Sequence, residues 1–145
     1  MTAGMIQQFA ISTLMVLVCV VIHGFGLFRL NRALRSEASI EQLRLIDPLS
    51  LRGALFTFGV VLALVALHGI EIWLFALVFF VVDALKTLEE ALYFSTISYS
   101  TVGFNDALIS QQWRLLAAFE SILGVIMLGW STAFLIRVLS RIDPH

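Results

Sequence analysis

Charge is what this sequence has least of. Aspartate, glutamate, lysine and arginine make up 13 per cent of its 145 residues, against roughly a quarter in an ordinary soluble domain. Too few charges remain to coat a water-facing surface, while 60 per cent of the residues are hydrophobic. A formal net charge of −1 gives no electrostatic footprint for a nucleic-acid partner. There is one cysteine, Cys19, set in an apolar run. An intrachain disulfide is therefore excluded, no catalytic Cys/His pairing is suggested, and nothing in the sequence points to an enzyme. No cation precedes Arg29, so the first apolar run lacks the basic start of a cleaved leader and is also longer than one. Internal repeats and low-complexity tracts are missing as well.

What the chain does have is three runs long enough to cross a bilayer, for which ~20 apolar residues suffice. They are Met5–Phe28, about Gly53–Val82 and about Trp113–Leu139. In lipid every backbone polar group needs an internal partner, which makes helix the default for each. The predicted fold class is therefore an all-α membrane protein with three transmembrane helices. Arg29, Arg32, Arg35, Arg44 and Arg52 crowd the segment after the first run, and Arg137 and Arg141 follow the third. The bias of Lys and Arg towards cytoplasmic flanks predicts a multi-pass protein of the cell membrane, with the N-terminus outside and the C-terminus cytoplasmic. Within the 29–52 linker, Ser39-Ile40-Glu41-Gln42 fits a capping box and Pro48 ends the pattern, so a short interfacial helix and a plain linker are both open. Arg29, Arg32 and Arg35 recur every third residue but fall past the apolar run, where they read as anchors.

Residues 83–112 are too polar to span. Thr87-Leu88-Glu89-Glu90 is a second capping-box match, predicting a helix over 88–99. Three turns of helix rise roughly 16 Å, enough to enter the hydrocarbon and not to cross it. Non-helical backbone at that depth is tolerated only when buried in protein or lining a water-filled path.

The stretch that follows, Ser98-Tyr99-Ser100-Thr101-Val102-Gly103-Phe104-Asn105-Asp106, resembles the filter signature of bacterial potassium channels and of the wider pore-loop ion-channel family. The likeness covers roughly Gly53 to Leu139. It implies an outer helix (53–82), a pore helix (88–99), a filter (101–105) and an inner helix (113–139), preceded by an additional N-terminal helix (1–28) and the linker 29–52. It further implies potassium conduction through a homotetramer, with K+ in the filter, no other cofactor, and the lipid bilayer and further copies of the chain as partners. Rings of backbone carbonyls replace the hydration shell of the ion. The resemblance assigns these rings to Thr101, Val102, Gly103, Phe104 and Asn105, with Asp106 at the outer mouth. Carbonyls that all aim at one axis need alternating right- and left-handed backbone, so Gly103 is expected to be left-handed.

Two positions depart from the family pattern. Asn105 stands where a second glycine is expected; Asn tolerates the left-handed region next best. Phe104 replaces a tyrosine and lacks its hydroxyl. A weakly selective Na+/K+ channel is the nearest alternative reading. Asp83, Glu89, Glu90 and Asp106 face Lys86 and Arg114 on the outer side, an acidic excess that would gather cations.

Several membrane-embedded residues carry further expectations. Glu120 is expected either to support the filter by a hydrogen bond to Ser95, Ser98 or Tyr99, or to line the pore, with Tyr93 as a second support. Gly124 and Gly129 serve as a gating bend or as small residues for close packing. His68 and Glu71 are one turn apart on one helix face; with His23 they pair helices or sense pH. A small haem protein ligated by His23 and His68 is a remote alternative. The run lengths set the two histidines at different depths, about 9 and about 24 Å from the inner ends of their spans, which speaks against it. A purely structural membrane subunit leaves the filter signature unexplained.

Overall fold

The computed structural model describes residues 3–35, 50–103 and 107–140. Within them the chain forms four α-helices: α1 (Ala3–Leu34), α2 (Leu51–Val81), α3 (Leu88–Tyr99) and α4 (Arg114–Leu139), the last entered through a 3-10 turn at Gln111–Trp113. α1, α2 and α4 are long and apolar enough to cross a membrane. The possible helix at 39–49 lies outside the described residues.

α1 runs six residues beyond its apolar stretch, through Arg29 and Arg32 to Leu34. Arg, Leu and Ala are good helix formers, so the helix continues after hydrophobicity stops. Ser50 caps α2, its hydroxyl accepting from the Gly53 amide at 3.2 Å. At its far end α2 closes with a Schellman arrangement. The Asp83 amide donates to the Phe80 carbonyl, the Ala84 amide donates to the Phe79 carbonyl, and Asp83 takes φ 55°. This turn sends the chain back towards the bilayer. Four residues later the expected capping box starts α3: the Glu90 amide donates to the Thr87 hydroxyl, and the Thr87 amide donates to the Glu90 carboxylate.

α3 packs between α2 and α4, while α1 lies mainly along α4. Large apolar side chains such as Phe25, Leu55, Phe58 and Ile122 face outwards, which lipid accepts as readily as a core. The interior holds two apolar clusters. One gathers Cys19, Phe75, Phe79, Phe94, Leu116 and Met127; the other gathers Leu27, Val60, Leu64 and Val138. On each of the three long helices the nearest residues of the two clusters are about two to three turns apart. The intervening layer is polar.

Candidate functional site

That layer is built from all four helices. His23 of α1, Glu71 of α2 and Ser131 of α4 are buried, and Tyr99, the last residue of α3, is 1 per cent exposed. His23 Nδ1 lies 2.9 Å from Glu71 Oε1, and its Nε2 lies 3.2 Å from the Ser131 hydroxyl. The Tyr99 hydroxyl donates to Glu71 Oε2 and lies 2.9 Å from His68 Nδ1. A phenol has one proton. Since Tyr99 gives it to Glu71, His68 must be the donor to Tyr99. Glu71 accepts from two elements at once and is the hub.

The sequence groups His23, His68 and Glu71 as helix-pairing or pH-sensing residues; the structure brings His23 of α1 onto Glu71 of α2 and adds Tyr99 and Ser131. The depth argument is overturned: the His23 and His68 rings lie 5.2 Å apart, centroid to centroid. Depth counted back from Phe28 misplaced His23, because α1 runs on to Leu34. The haem reading fails for a different reason. Both rings turn a nitrogen towards Glu71 and Tyr99, and they sit too close to leave a slot for a porphyrin.

Glu120 is buried one layer away, on α4 beside α3. The Ser95 hydroxyl bonds Glu120 Oε1 and also the Ile72 carbonyl at 2.8 Å. One hydroxyl proton cannot serve two acceptors. Both bonds form together when the carboxyl is protonated and donates to Ser95, which then donates to Ile72. The other carboxyl oxygen, Oε2, and the buried Ser98 hydroxyl have no hydrogen-bond partner among the described residues. Tyr93 is 62 per cent exposed, and among the described residues it forms no hydrogen bond to Glu120, Ser98 or the loop. Its ring lies about 100° around α3 from Phe94 and about 200° from Ser95, off the face that packs on the chain.

α3 ends at Tyr99 against Gly124. A Cβ on Gly124 would sit 2.0 Å from the Tyr99 carbonyl oxygen, whereas one on Gly129 would meet nothing within 4 Å. At Gly124 close packing is therefore the structural need. Beyond Tyr99 the chain reverses. Thr101 takes φ 58°, and its amide donates to the Ser98 carbonyl at 3.0 Å, one of the bonds of a left-handed helix stop. The Gly103 amide then bonds the Ile97 carbonyl at 3.4 Å. Gly103 itself is not left-handed, contrary to expectation: the helix stop claims the left-handed residue two positions earlier. Thr101, Val102 and Gly103 are all exposed, Val102 to 82 per cent. Phe104, Asn105 and Asp106 lie outside the described residues.

Of the acids between α2 and α4, Glu90 is bound as a cap and Asp83 forms the α2 stop. Asp83, Lys86, Glu90 and Tyr93 line a cavity of about 550 Å³ with the 107–110 segment.

A family model described as ion channel matches residues 65–141, from the middle of α2 through α3 and the loop to just past the end of α4. No curated protein and no solved structure matches the chain. The matched region is more than half of the sequence and holds the half-length helix, the reversal and the helix that packs behind it. The chain belongs to the ion-channel family, as a pore-loop member with one further membrane helix, α1, ahead of the matched region.

Proposed function

We propose that four copies of the chain surround one axis and conduct potassium selectively through main-chain carbonyls of Thr101, Val102, Gly103, Phe104 and Asn105, with Asp106 at the outer mouth. The observation that carries this reading is the placing of one loop. A capped 12-residue helix, packed between two membrane-length helices, ends beside Gly124 of α4 and is followed by Thr101-Val102-Gly103, which their own chain leaves exposed. An apolar side chain such as Val102, 82 per cent exposed beside the family's filter signature, fits a surface that further copies cover. One chain supplies one loop, and a ring of carbonyls needs several. Glu120 and Ser98 support the loop from behind in this reading. The arginine flanks orient the chain with residues 83–112 outside and Arg29–Arg52 inside.

The test is potassium flux from liposomes holding the purified protein, with reversal potentials in mixed sodium and potassium. Gly103→Ala is the control. A Cβ there meets nothing within 4 Å in its own chain, so the variant folds as wild type. In the assembled ring the added methyl stands where four backbones converge on the ion, and flux falls to background. Unchanged flux, or a purified protein that stays a single subunit in lipid, refutes the proposal.

Phe104 and Asn105 favour a second reading, a weakly selective cation channel. Reversal potentials that track sodium and potassium alike identify it. Asn105→Gly, which restores the glycine of the family signature, then raises the preference for potassium.

A further inference from the structure

We propose that His23, His68 and Glu71 form a binding site for a divalent transition-metal ion of the zinc class, with the Tyr99 phenol oxygen as fourth donor, inside the membrane-spanning bundle. One donor atom from each of the three residues lies within 4.8 Å of the others. The nearest approaches are 2.9 Å from His23 Nδ1 to Glu71 and 3.6 Å from His68 Nδ1 to Glu71. Donors bonded to zinc at about 2.0–2.1 Å in tetrahedral array sit a little over 3 Å from one another. Shifts of under about 1 Å therefore convert the cluster into a coordination shell. Two imidazoles with a carboxylate, and no sulfur, suit first-row divalent ions and not potassium.

Charge supplies a second argument. Glu71 is a carboxyl group with no solvent exposure, set against two imidazoles. Among the described residues its ion-pair partners are the two histidines. A carboxylate so placed calls for a cation. A divalent ion meets that need, and if it displaces the Tyr99 proton the whole site becomes neutral.

The third argument is Ser131. A metal at His23 Nδ1 requires the tautomer with its proton on Nε2. Ligating histidines usually donate that proton to an oxygen, which fixes the ring. The Ser131 hydroxyl, 3.2 Å from Nε2, can accept in the metal-bound form and donate in the metal-free form. His68, 12 per cent exposed, is the edge by which an ion reaches the cluster. Once bound, the ion would join α1 to α2 directly and reach the end of α3 through Tyr99, two residues before Thr101.

The experiment equilibrates the purified full-length protein with Zn2+, removes free metal by gel filtration and measures metal per chain. The visible absorption of a Co2+-loaded sample reports geometry. The expected result is one ion per chain with the spectrum of four-coordinate cobalt. His23→Gln and Glu71→Gln each weaken binding by about 100-fold while eluting as wild type. Should those variants fail to fold, X-ray absorption of Zn2+ on the wild-type protein decides, and two imidazole nitrogens in the shell are expected. Absence of stoichiometric metal, a shell without two imidazoles, or binding unchanged in folded variants overturns the site and leaves a network held by protons alone. The readout is metal content and not flux, so its outcome is independent of the channel reading.

Discussion

Gly124 on α4 supports the carbonyl of Tyr99 so closely that a single methyl group cannot be inserted between them: a Cβ would lie 2.0 Å from that oxygen. Gly124→Ala therefore has to push α3 away from α4 at the point where the loop begins. Overpacking of this kind costs about 1–3 kcal/mol, and the thermal midpoint of the purified protein falls accordingly. Because the displaced element carries the loop, flux falls too. Gly129→Ala is the matched control, since nothing lies within 4 Å of its added Cβ. Alanine is the better helix former by about 0.8–1.0 kcal/mol, so that variant is as stable as wild type or more so. If Gly129→Ala nevertheless alters channel opening, the gating bend is the better of the two sequence readings of Gly129, and it is a matter of flexibility, not of packing within the chain.

The proton count around Ser95 makes a prediction about Glu120. If the carboxyl donates to Ser95, an amide in its place donates equally well, and Glu120→Gln changes stability by less than about 1 kcal/mol. Glu120→Ala removes the donor and opens a cavity, at about 2–4 kcal/mol. Because an amide can also turn its oxygen to Ser95, thermal unfolding of the three proteins is read beside infrared spectra: a protonated Glu120 gives a carboxylic-acid C=O stretch that Glu120→Gln abolishes, and an ionised Glu120 gives none.

How far the sequence foretells this arrangement depends on the range of each interaction. The three spans and α3 were legible because their signals are local: unbroken apolar runs, and Thr87 three residues before Glu90. The pairing of His68 with Glu71 follows from helical spacing alone. His23 joining Glu71 does not, because the relative depth of two helices depends on where α1 ends, and α1 continues through Arg29 and Arg32 after its apolar run has finished. Tyr99 as donor to Glu71 was hidden for a similar reason. Its partner depends on how closely α3 approaches α2 and α4, which Gly124 sets. The left-handed residue of the loop was misplaced at Gly103 because glycine is the usual tenant; the helix stop put it at Thr101 instead.

Asp83 shows the same preference overridden at the end of α2, and it can be tested. It completes the Schellman turn at φ 55°, where glycine would pay no steric penalty. Asp83→Gly should raise stability by up to about 1 kcal/mol. Thr87→Ala acts in the opposite sense at the start of α3: it removes the hydroxyl that accepts from the Glu90 amide at 3.1 Å and costs about 1 kcal/mol. Both turns lie between the C-terminal end of α2 and α3. Hydrogen exchange of the α3 amides should therefore slow in the first variant and quicken in the second.

Tyr99→Phe isolates the link between the buried polar layer and the loop. The ring remains, so its place in the buried apolar cluster is kept, and only the hydroxyl is lost. Glu71, which has no solvent exposure, then loses one of its donors, and the partly buried His68 loses its acceptor. A buried polar group left without its partner costs about 1–3 kcal/mol, so the thermal midpoint drops. The consequence for conduction is sharper than for stability. With the hydroxyl gone, the end of α3 loses its tie to Glu71 and keeps its packing, including that on Gly124, and Thr101 follows two residues later. The open-state lifetime in single-channel recordings should change while the reversal potential stays where it was, because no carbonyl of the loop has been altered. A shift in reversal potential with unchanged lifetime would mean that Tyr99 shapes the ion path itself and that the polar layer plays no part in holding it.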